Sequence, residues 1–257
     1  MWNPLVIENQ SINHLDLELL LNKKIPAIII RNFYSKEQCK FIIKKIEKAK
    51  KTHFQKTKLE HIGPFLMSHI TQKNEYFEKA KKTQKQFEQI FTKVENPSSK
   101  VFAMFKKAFP TFSISLAKQS QESFSPYIIR IHKKGKAIPI HKDNIKYEGK
   151  EFCISNIDSQ LSCVIHLQES EVGGKVIIYE NQWKRSDEKF REIDFGYSPK
   201  VVSSNYCKLK SVNKGDLVII NPNHFHEVTK IQGNTSRITL GMFLGVYHKD
   251  QKIVAWA

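Results

Sequence analysis

Hydrophobic and polar positions divide the chain into two textures. The apolar, β-branched run Ile25-Pro-Ala-Ile-Ile-Ile-Arg31 predicts a buried strand, since short continuous apolar runs suit strands covered on both faces. A helix follows it. Ser35-Lys-Glu-Gln38 is a capping box, and Cys39, Ile42, Ile43 and Ile46 then recur at i, i+3, i+4 and i+7, so one apolar stripe of a lysine-coated helix faces a sheet. Residues 72–107 are again helical in composition, broken by the turn chemistry of Asn96-Pro97-Ser98-Ser99, which predicts two helices and a loop.

From Tyr127 onward short β-rich runs appear at 127–132, 153–157, 162–167, 175–179, 217–220 and 238–244. Turn residues such as Gly173-Gly174 and Asn221-Pro222-Asn223 separate them. This spacing predicts an antiparallel sandwich or barrel. Residues 182–205 are polar and long for a connection, which predicts a lid or substrate loop. The expected organisation is a single domain over 1–257. Residues 1–125 give mainly helical support with one or two strands, and 126–257 form the core.

Composition narrows this picture. At 257 residues, 40% hydrophobic and 26% charged, the chain is long enough for a sizeable core and too apolar for extended disorder. No apolar run approaches the roughly 20 residues that cross a bilayer, and Met1-Trp2-Asn3-Pro4 lacks a basic segment leading into an apolar one, so a cytoplasmic protein is expected. Cys39, Cys153, Cys163 and Cys207 form no CxxC pair and lie among apolar residues, which predicts buried free thiols.

The formal charge of +17 raises nucleic acid as a partner, because clustered cations release phosphate counterions. Only five of the 42 basic residues are arginine, at 31, 130, 185, 191 and 237. Lysine lacks the planar fork that reads phosphates and bases bidentately, so a solvated lysine face is the better reading.

The candidate chemistry begins at Pro139-Ile-His141-Lys-Asp143-Asn144. In an extended chain residues i and i+2 share a side, so His141 and Asp143 could reach one metal. A third ligand is offered after the apolar run Leu217–Ile220, in Asn221-Pro-Asn-His224-Phe-His226-Glu-Val228. Two histidines and one carboxylate leave three positions of an octahedral ion open, the set that suits non-haem iron(II) oxygen chemistry. Alternation alone does not separate His224 from His226. His226 is preferred for its distance to Arg237 in Ser236-Arg-Ile-Thr-Leu240, where the Arg237 fork and the Thr239 hydroxyl share a face and can hold one carboxylate.

These residues resemble the iron(II)/2-oxoglutarate-dependent dioxygenases, in which a His-x-Asp, a distal His and a following Arg or Lys sit on a jelly-roll core. The resemblance runs from about Tyr127 to the C-terminus and includes Gly173-Gly174-Lys-Val-Ile-Ile, Gly215-Asp216-Leu and His226-Glu-Val228. It implies an α+β fold, mainly β, with a double-stranded β-helix flanked by N-terminal helices. It also implies an enzyme using iron(II), 2-oxoglutarate and O2, with iron on His141, Asp143 and His226, and 2-oxoglutarate on Arg237 and Thr239. The outcome is hydroxylation of an unactivated C–H bond with release of succinate and CO2.

Halogenating members of the superfamily replace the metal carboxylate by Gly or Ala. Asp143 keeps it here, which argues against halogenation. Members that demethylate nucleic acids often carry a second Arg six residues after the cosubstrate Arg, where this chain has Phe243. The overall pattern, including the ending Val254-Ala-Trp256-Ala257, is similar to small enzymes that hydroxylate or halogenate free amino acids and related small molecules, so a free amino acid is the expected substrate. Two other readings stand beside this one: a hydroxylase of protein or peptide side chains, and a non-enzymatic jelly-roll binding module. No membrane partner is indicated, and nothing in the sequence assigns an oligomeric state.

Further residues carry paired readings. His132 stands nine residues before His141, where relatives often place a Tyr near the cosubstrate; it either touches 2-oxoglutarate or is a structural histidine. Arg130 shares its face and either binds a substrate carboxylate or forms a surface ion pair. Asn144 either donates to substrate or makes a turn. Glu122 either pairs with a substrate amine or is an exposed loop carboxylate. Trp183 and Trp256 either wall the pocket or pack the core. His53, His61, His69 and His166 are expected to be structural or exposed.

Overall fold

The computed structural model describes residues 2–9, 11–54, 59–192, 195–203 and 205–257. Five helices are α1 (His14–Leu21), α2 (Lys36–Lys48), α3 (Lys73–Ile90), α4 (Pro97–Ala108) and the short α5 (Ile145–Glu148). The strands up to residue 132 are β1 (Leu5–Ile7), β2 (Ala27–Ile30), β3 (Thr52–His53), β4 (Glu60–Ile62), β5 (Ser113–Leu116), β6 (Lys118–Gln119), β7 (Glu122–Ser123) and β8 (Ile128–His132). Those that follow are β9 (Ile138–His141), β10 (Ser159–Gln168), β11 (Val176–Gln182), β12 (Tyr206–Lys208), β13 (Leu217–Ile220), β14 (His224–Val228), β15 (Arg237–Tyr247) and β16 (Lys252–Trp256).

A ten-stranded major sheet runs β1-β2-β13-β10-β15-β8-β4-β3, with β16 and β5 joined to it at β15. A minor sheet runs β12-β11-β14-β9. The α+β architecture with a jelly-roll core is therefore as expected, and no helix among the described residues is long and apolar enough to cross a membrane.

Strand alternation sorts the major sheet into two faces. On one face Ile28, Ile30, Cys163, Ile165, Leu217, Ile219, Leu240 and Met242 pack against Cys39, Ile42 and Ile46 of α2 and Val101 and Phe105 of α4. The opposite face meets the minor sheet: Ala27, Ile29, Val218 and Ile220 pack on Ile178, Cys207 and Leu209. Burying these side chains at about 25 cal/mol per Å2 drives the two packings, and they leave the inner faces of β8, β10 and β15 to carry something else.

Capping holds α2 where the motif placed it. Ser35 accepts from the Gln38 backbone N–H, and the Gln38 side chain returns the bond to the Ser35 N–H. Arg31, at the end of the predicted first strand, bonds buried Asp216 at 2.5 Å, tying β2 to the Gly215-Asp216 turn before β13.

Three expectations need correction. The first 125 residues hold seven strands rather than one or two, because pieces of two to four residues become strands only through partners that the tertiary fold sets beside them. Residues 153–157 are not a strand: Cys153–Asn156 is a 3-10 turn, with Ile154 and Ile157 anchored in an aromatic cluster around Tyr76, Phe124 and Phe152. Cys153 is exposed, whereas Cys39, Cys163 and Cys207 are buried free thiols as expected.

Candidate metal centre and anion pocket

His141 ends β9, and His226 lies directly opposite it on β14. The rings stand 4.1 Å apart between centroids. Asp143 follows β9 by two residues, its backbone N–H bonded to the Pro222 carbonyl at 2.9 Å. That bond brings its Oδ2 to 3.9 Å from His141 Nε2 and 3.5 Å from His226 Nε2. One donor atom from each residue lies within 4.8 Å of the others.

Both rings are oriented by local backbone. His141 Nδ1–H donates to the Pro139 carbonyl at 2.9 Å, and His226 Nδ1–H donates to the His224 carbonyl at 2.8 Å. A carbonyl only accepts, so each Nδ1 carries the proton and each Nε2 lone pair points at the cluster, the arrangement that prepares a metal-binding imidazole. Burial, with the neighbouring His226 adding to it, pushes His141 down to about 3, so its ring is neutral. Burial would raise the Asp143 carboxyl, but the two imidazoles and the Arg130 charge around it outweigh that and hold the group at about 2. Two imidazoles and one carboxylate are a donor set suited to a divalent ion of intermediate softness.

His224 does not join the cluster. Its Nδ1–H donates to the Tyr179 carbonyl at 2.9 Å, its Nε2 lies 3.1 Å from Gln182 Nε2, and Trp2 packs on the ring at 5.2 Å. An irregularity between Ile178 and Gln182 in the β11 ladder turns it away, which residue spacing alone could not foretell.

The residues expected to hold a carboxylate lie on the other sheet. Arg237 pairs in register with His132 on β8, while Thr239 stands between Arg130 on β8 and His166 on β10. These are the inward-facing residues of three neighbouring strands. Arg237 is 3% exposed and His132 fully buried. The Arg237 Nε, both His132 nitrogens and the His166 Nε2 are buried without a protein hydrogen-bond partner. Orphaned donors in one place are costly, roughly 1–3 kcal/mol each, unless a polar ligand satisfies them.

Burial holds His132 well below its ordinary value, and the charges of Arg237 and Arg130 push the same way. His166 is also lowered by burial, and its Nδ1–H donates to Glu169 at 2.6 Å. Glu169 is the carboxylate whose charge acts on Arg237.

Gly174 explains the glycine pair seen in the sequence. It has φ +67°, and a Cβ there would stand 2.5 Å from Ser170 Oγ and 3.1 Å from Arg237 Cδ, so only glycine lets the turn close behind the arginine stem.

The loop spanning residues 182–205 is tied to the cluster by a polar network; its residues 193, 194 and 204 lie outside the described residues. Glu188 accepts from Trp183 Nε1 at 2.7 Å, Tyr197 Oη at 2.6 Å and Arg191 Nε at 2.8 Å, and Arg191 reaches Glu148 at 2.7 Å. Lys142, between the two cluster residues, bonds Glu148 and lies 4.6 Å from the Trp183 ring and 5.0 Å from that of Tyr147. Phe195 packs edge-on against His141 at 5.5 Å. Lys142, Glu188 and Phe195 had no distinguishing sequence signal, because each acts through partners far along the chain.

Of the weaker candidates, Arg130 is partly buried and faces inward, so it is not a surface ion pair. Asn144 caps α5, accepting from the Tyr147 N–H and donating to Asn223 at 2.9 Å, which is its turn role. Glu122 is exposed on the β6–β7 hairpin, away from any bond to the cluster. Trp256 has no exposed surface and packs on Phe243 at 5.8 Å, so it is a core residue and not a pocket wall. Trp183 belongs to the loop network. His61 and His69 are buried on the carbonyls of Gly63 and Phe65, and His53 is exposed.

Comparison with known proteins matches residues 5–257 to the family model of the carrier-protein-independent halogenase WelO5. A leucinostatins biosynthesis cluster protein S of Purpureocillium lilacinum is 30% identical over 142 residues, covering 53% of this chain and 57% of the relative. The L-gamma-glutamyl-L-propargylglycine hydroxylase of Streptantibioticus cattleyicolor is 29% identical over 120 residues, covering 46% and 44%. The matched stretch thus spans about half of each curated relative.

Among solved structures, an N-substituted L-amino acid dioxygenase of Burkholderia ambifaria superposes with a TM-score of 0.63 at 14% identity, covering 95% of this chain and 91% of that one. HygX of Streptomyces hygroscopicus, solved with nickel and 2-oxoglutarate bound, gives 0.54 at 10% identity, covering 90% and 87%. At these identities the structural likeness establishes the fold.

Proposed function

This chain belongs to the carrier-protein-independent halogenase WelO5 family, and from that premise we propose that it is an iron(II)- and 2-oxoglutarate-dependent dioxygenase hydroxylating a C–H bond of a small molecule. A free amino acid or a close derivative is the substrate class. The observation that carries this reading is the convergence of His141, Asp143 and His226, with its carboxylate intact, in a fold that also buries Arg237.

The residues fit both groups. His141, Asp143 and His226 would hold the iron, and the unpaired donors around Arg237, with Thr239 and His132 beside it, would receive the far carboxylate of 2-oxoglutarate. When bound, iron(II) and 2-oxoglutarate supply the oxygen activation that ends in succinate, CO2 and a hydroxylated product. The protein's own part is orientation: the Pro139 and His224 carbonyls aim the two rings, and the Pro222 carbonyl sets Asp143. Phe195 packs on the His141 ring, and the Trp183–Glu188–Arg191 network braces the loop beside it.

Asp143 decides between the two outcomes open to this family. A halide needs the position that a carboxylate occupies, so hydroxylation is the outcome read here. The named substrates of the hydroxylase and dioxygenase relatives, both built on amino acids, support the substrate class.

The test supplies purified protein with iron(II), ascorbate, O2, 2-oxoglutarate and chloride, adds a panel of free and N-substituted amino acids, and follows succinate and product mass. Succinate stimulated by one panel member, with one oxygen added to it, is the expected result. A chlorinated product would overturn the reading of Asp143, and absence of both iron(II) binding and succinate would overturn the enzyme.

A further inference from the structure

We propose that Phe195 selects the substrate, which packs an apolar side chain on its ring. The inference rests on the dioxygenase reading above and narrows its substrate class to amino acids and close derivatives with an apolar side chain.

Phe195 stands beside the metal cluster on a base that the fold holds in place. Its ring lies 5.5 Å from that of His141 between centroids and nearly perpendicular to it, at 79°. Two residues on, the Tyr197 backbone N–H donates at 2.8 Å to the carbonyl of Ile140, the residue before His141. The Tyr197 ring packs at 5.1 Å on Phe225, the residue before His226. The segment is thus fastened to both histidine-bearing strands, each time at the position next to the ligand.

The same segment is also tied to itself. Arg191 and Tyr197 form an antiparallel bridge, and between them the Glu192 N–H donates to the Gly196 carbonyl at 2.9 Å. Arg191 is held in turn by Glu188 and Glu148. A side chain carried on so constrained a base loses little freedom when a ligand meets it.

The Phe195 ring is the exception to the burial around it. Tyr197 is 3% exposed, whereas Phe195 is 40% exposed. The cluster keeps a little access to solvent, with the side chains of His141, Asp143 and His226 9 to 13% exposed. A molecule at the open positions of the cluster therefore lies beside the His141 ring and within reach of an apolar surface that nothing in the chain covers.

The polar side chains nearby are already matched. Lys142 bonds Glu148 and lies between the Trp183 and Tyr147 rings. Asn144 accepts from the Tyr147 N–H and donates to Asn223. Glu188 accepts from Trp183, Tyr197 and Arg191. Small-molecule sites are lined mainly by apolar and aromatic groups, with a few polar ones fixing orientation. Here the cluster and Arg237 supply the polar part, and an aliphatic or aromatic substrate side chain gains by covering Phe195.

The experiment uses nickel(II)-loaded protein saturated with 2-oxoglutarate, so that binding is read without turnover. Calorimetry measures L-leucine, L-phenylalanine and their N-acetyl forms against L-serine, L-aspartate and their N-acetyl forms, for wild type, Phe195→Ala and Phe195→Leu. Melting temperatures report whether each variant is folded. Wild type is expected to bind at least one apolar probe tenfold or more tighter than its polar counterparts. Phe195→Ala should lose at least tenfold on that probe, Phe195→Leu should keep most of the affinity, and nickel(II) and 2-oxoglutarate should bind all three proteins within twofold.

No apolar preference in wild type, or Phe195→Ala binding the preferred probe within threefold, overturns the inference. An equal loss on apolar and polar probes, or a loss of nickel(II), also overturns it, because Phe195 would then support His141 rather than select the substrate. Failure of wild-type protein to bind 2-oxoglutarate would defeat the dioxygenase reading and this inference with it, whereas normal 2-oxoglutarate binding without the apolar preference defeats this inference alone.

Discussion

The two halves of the candidate site are built in opposite ways. At the metal end, His141 and His226 are each oriented by the carbonyl two residues before them, and Asp143 sits two residues after the first. Most of that geometry is local to two short segments. At the anion end, Arg237, His132, Thr239, Arg130 and His166 meet only because three strands pair in one register, and their polar atoms are left partly unmatched. The metal end is thus set largely by the chain near each ligand, whereas the anion end depends on the sheet and on what binds there.

The largest effect should come from removing the metal carboxylate. Asp143→Gly is expected to lower iron(II) affinity on the order of 100-fold and abolish hydroxylation while the circular dichroism spectrum is unchanged, since the substitution touches the metal end alone. Retained hydroxylation in this variant would mean that the oxidation occurs elsewhere.

Acid should act on both ends and on the fold between them. Burial holds His61 and His224 at about 4 and His141 at about 3, below the ordinary histidine value near 6.5 that applies when the chain unfolds. The unfolded state therefore binds more protons as pH falls below about 6.5. The stability these rings contribute is full above that point and is lost progressively down to about 4 for His61 and His224 and about 3 for His141, at up to ~1.4 kcal/mol per pH unit for each ring. Urea unfolding of metal-free protein at pH 7.5, 6 and 5 should give steadily lower midpoints, and a flat profile would show that these histidines are not held neutral.

A smaller change should separate the ends. Gly174→Ala places a methyl group 3.1 Å from Arg237 Cδ at a positive φ, so 2-oxoglutarate affinity should fall about tenfold, or ~1.4 kcal/mol, with metal affinity unchanged. Calorimetry with each ligand checks this, and an equal loss of both would mean that the ends are not independent.

This contrast also explains what could be read from the sequence. His141 and Asp143 were legible because their two-residue spacing is itself the geometry. The α2 stripe was legible because helix period and burial agree at Cys39, Ile42, Ile43 and Ile46. His226 needed its distance from Arg237 to be preferred over His224, and the irregular β11 ladder that turns His224 away carries no residue signature.

The inward setting of Arg130 was harder to read, since one charged residue on a strand reads equally as exposed until its neighbours are known. Trp256 and Glu122 failed as pocket residues for the same reason: burial in the Tyr76 cluster and exposure on a hairpin are tertiary facts. The short strands of the first 125 residues owe their existence to partners set beside them by the fold rather than to their own composition.

The central claim is that two differently built halves act on one small molecule, and 2-oxoglutarate binding tests it most directly. Calorimetry should show 2-oxoglutarate binding to nickel(II)-loaded wild-type protein, with at least a 100-fold loss both in metal-free protein and in metal-loaded Arg237→Ala that still binds nickel(II) normally. Equal binding with and without metal, or undiminished binding to Arg237→Ala, would contradict it.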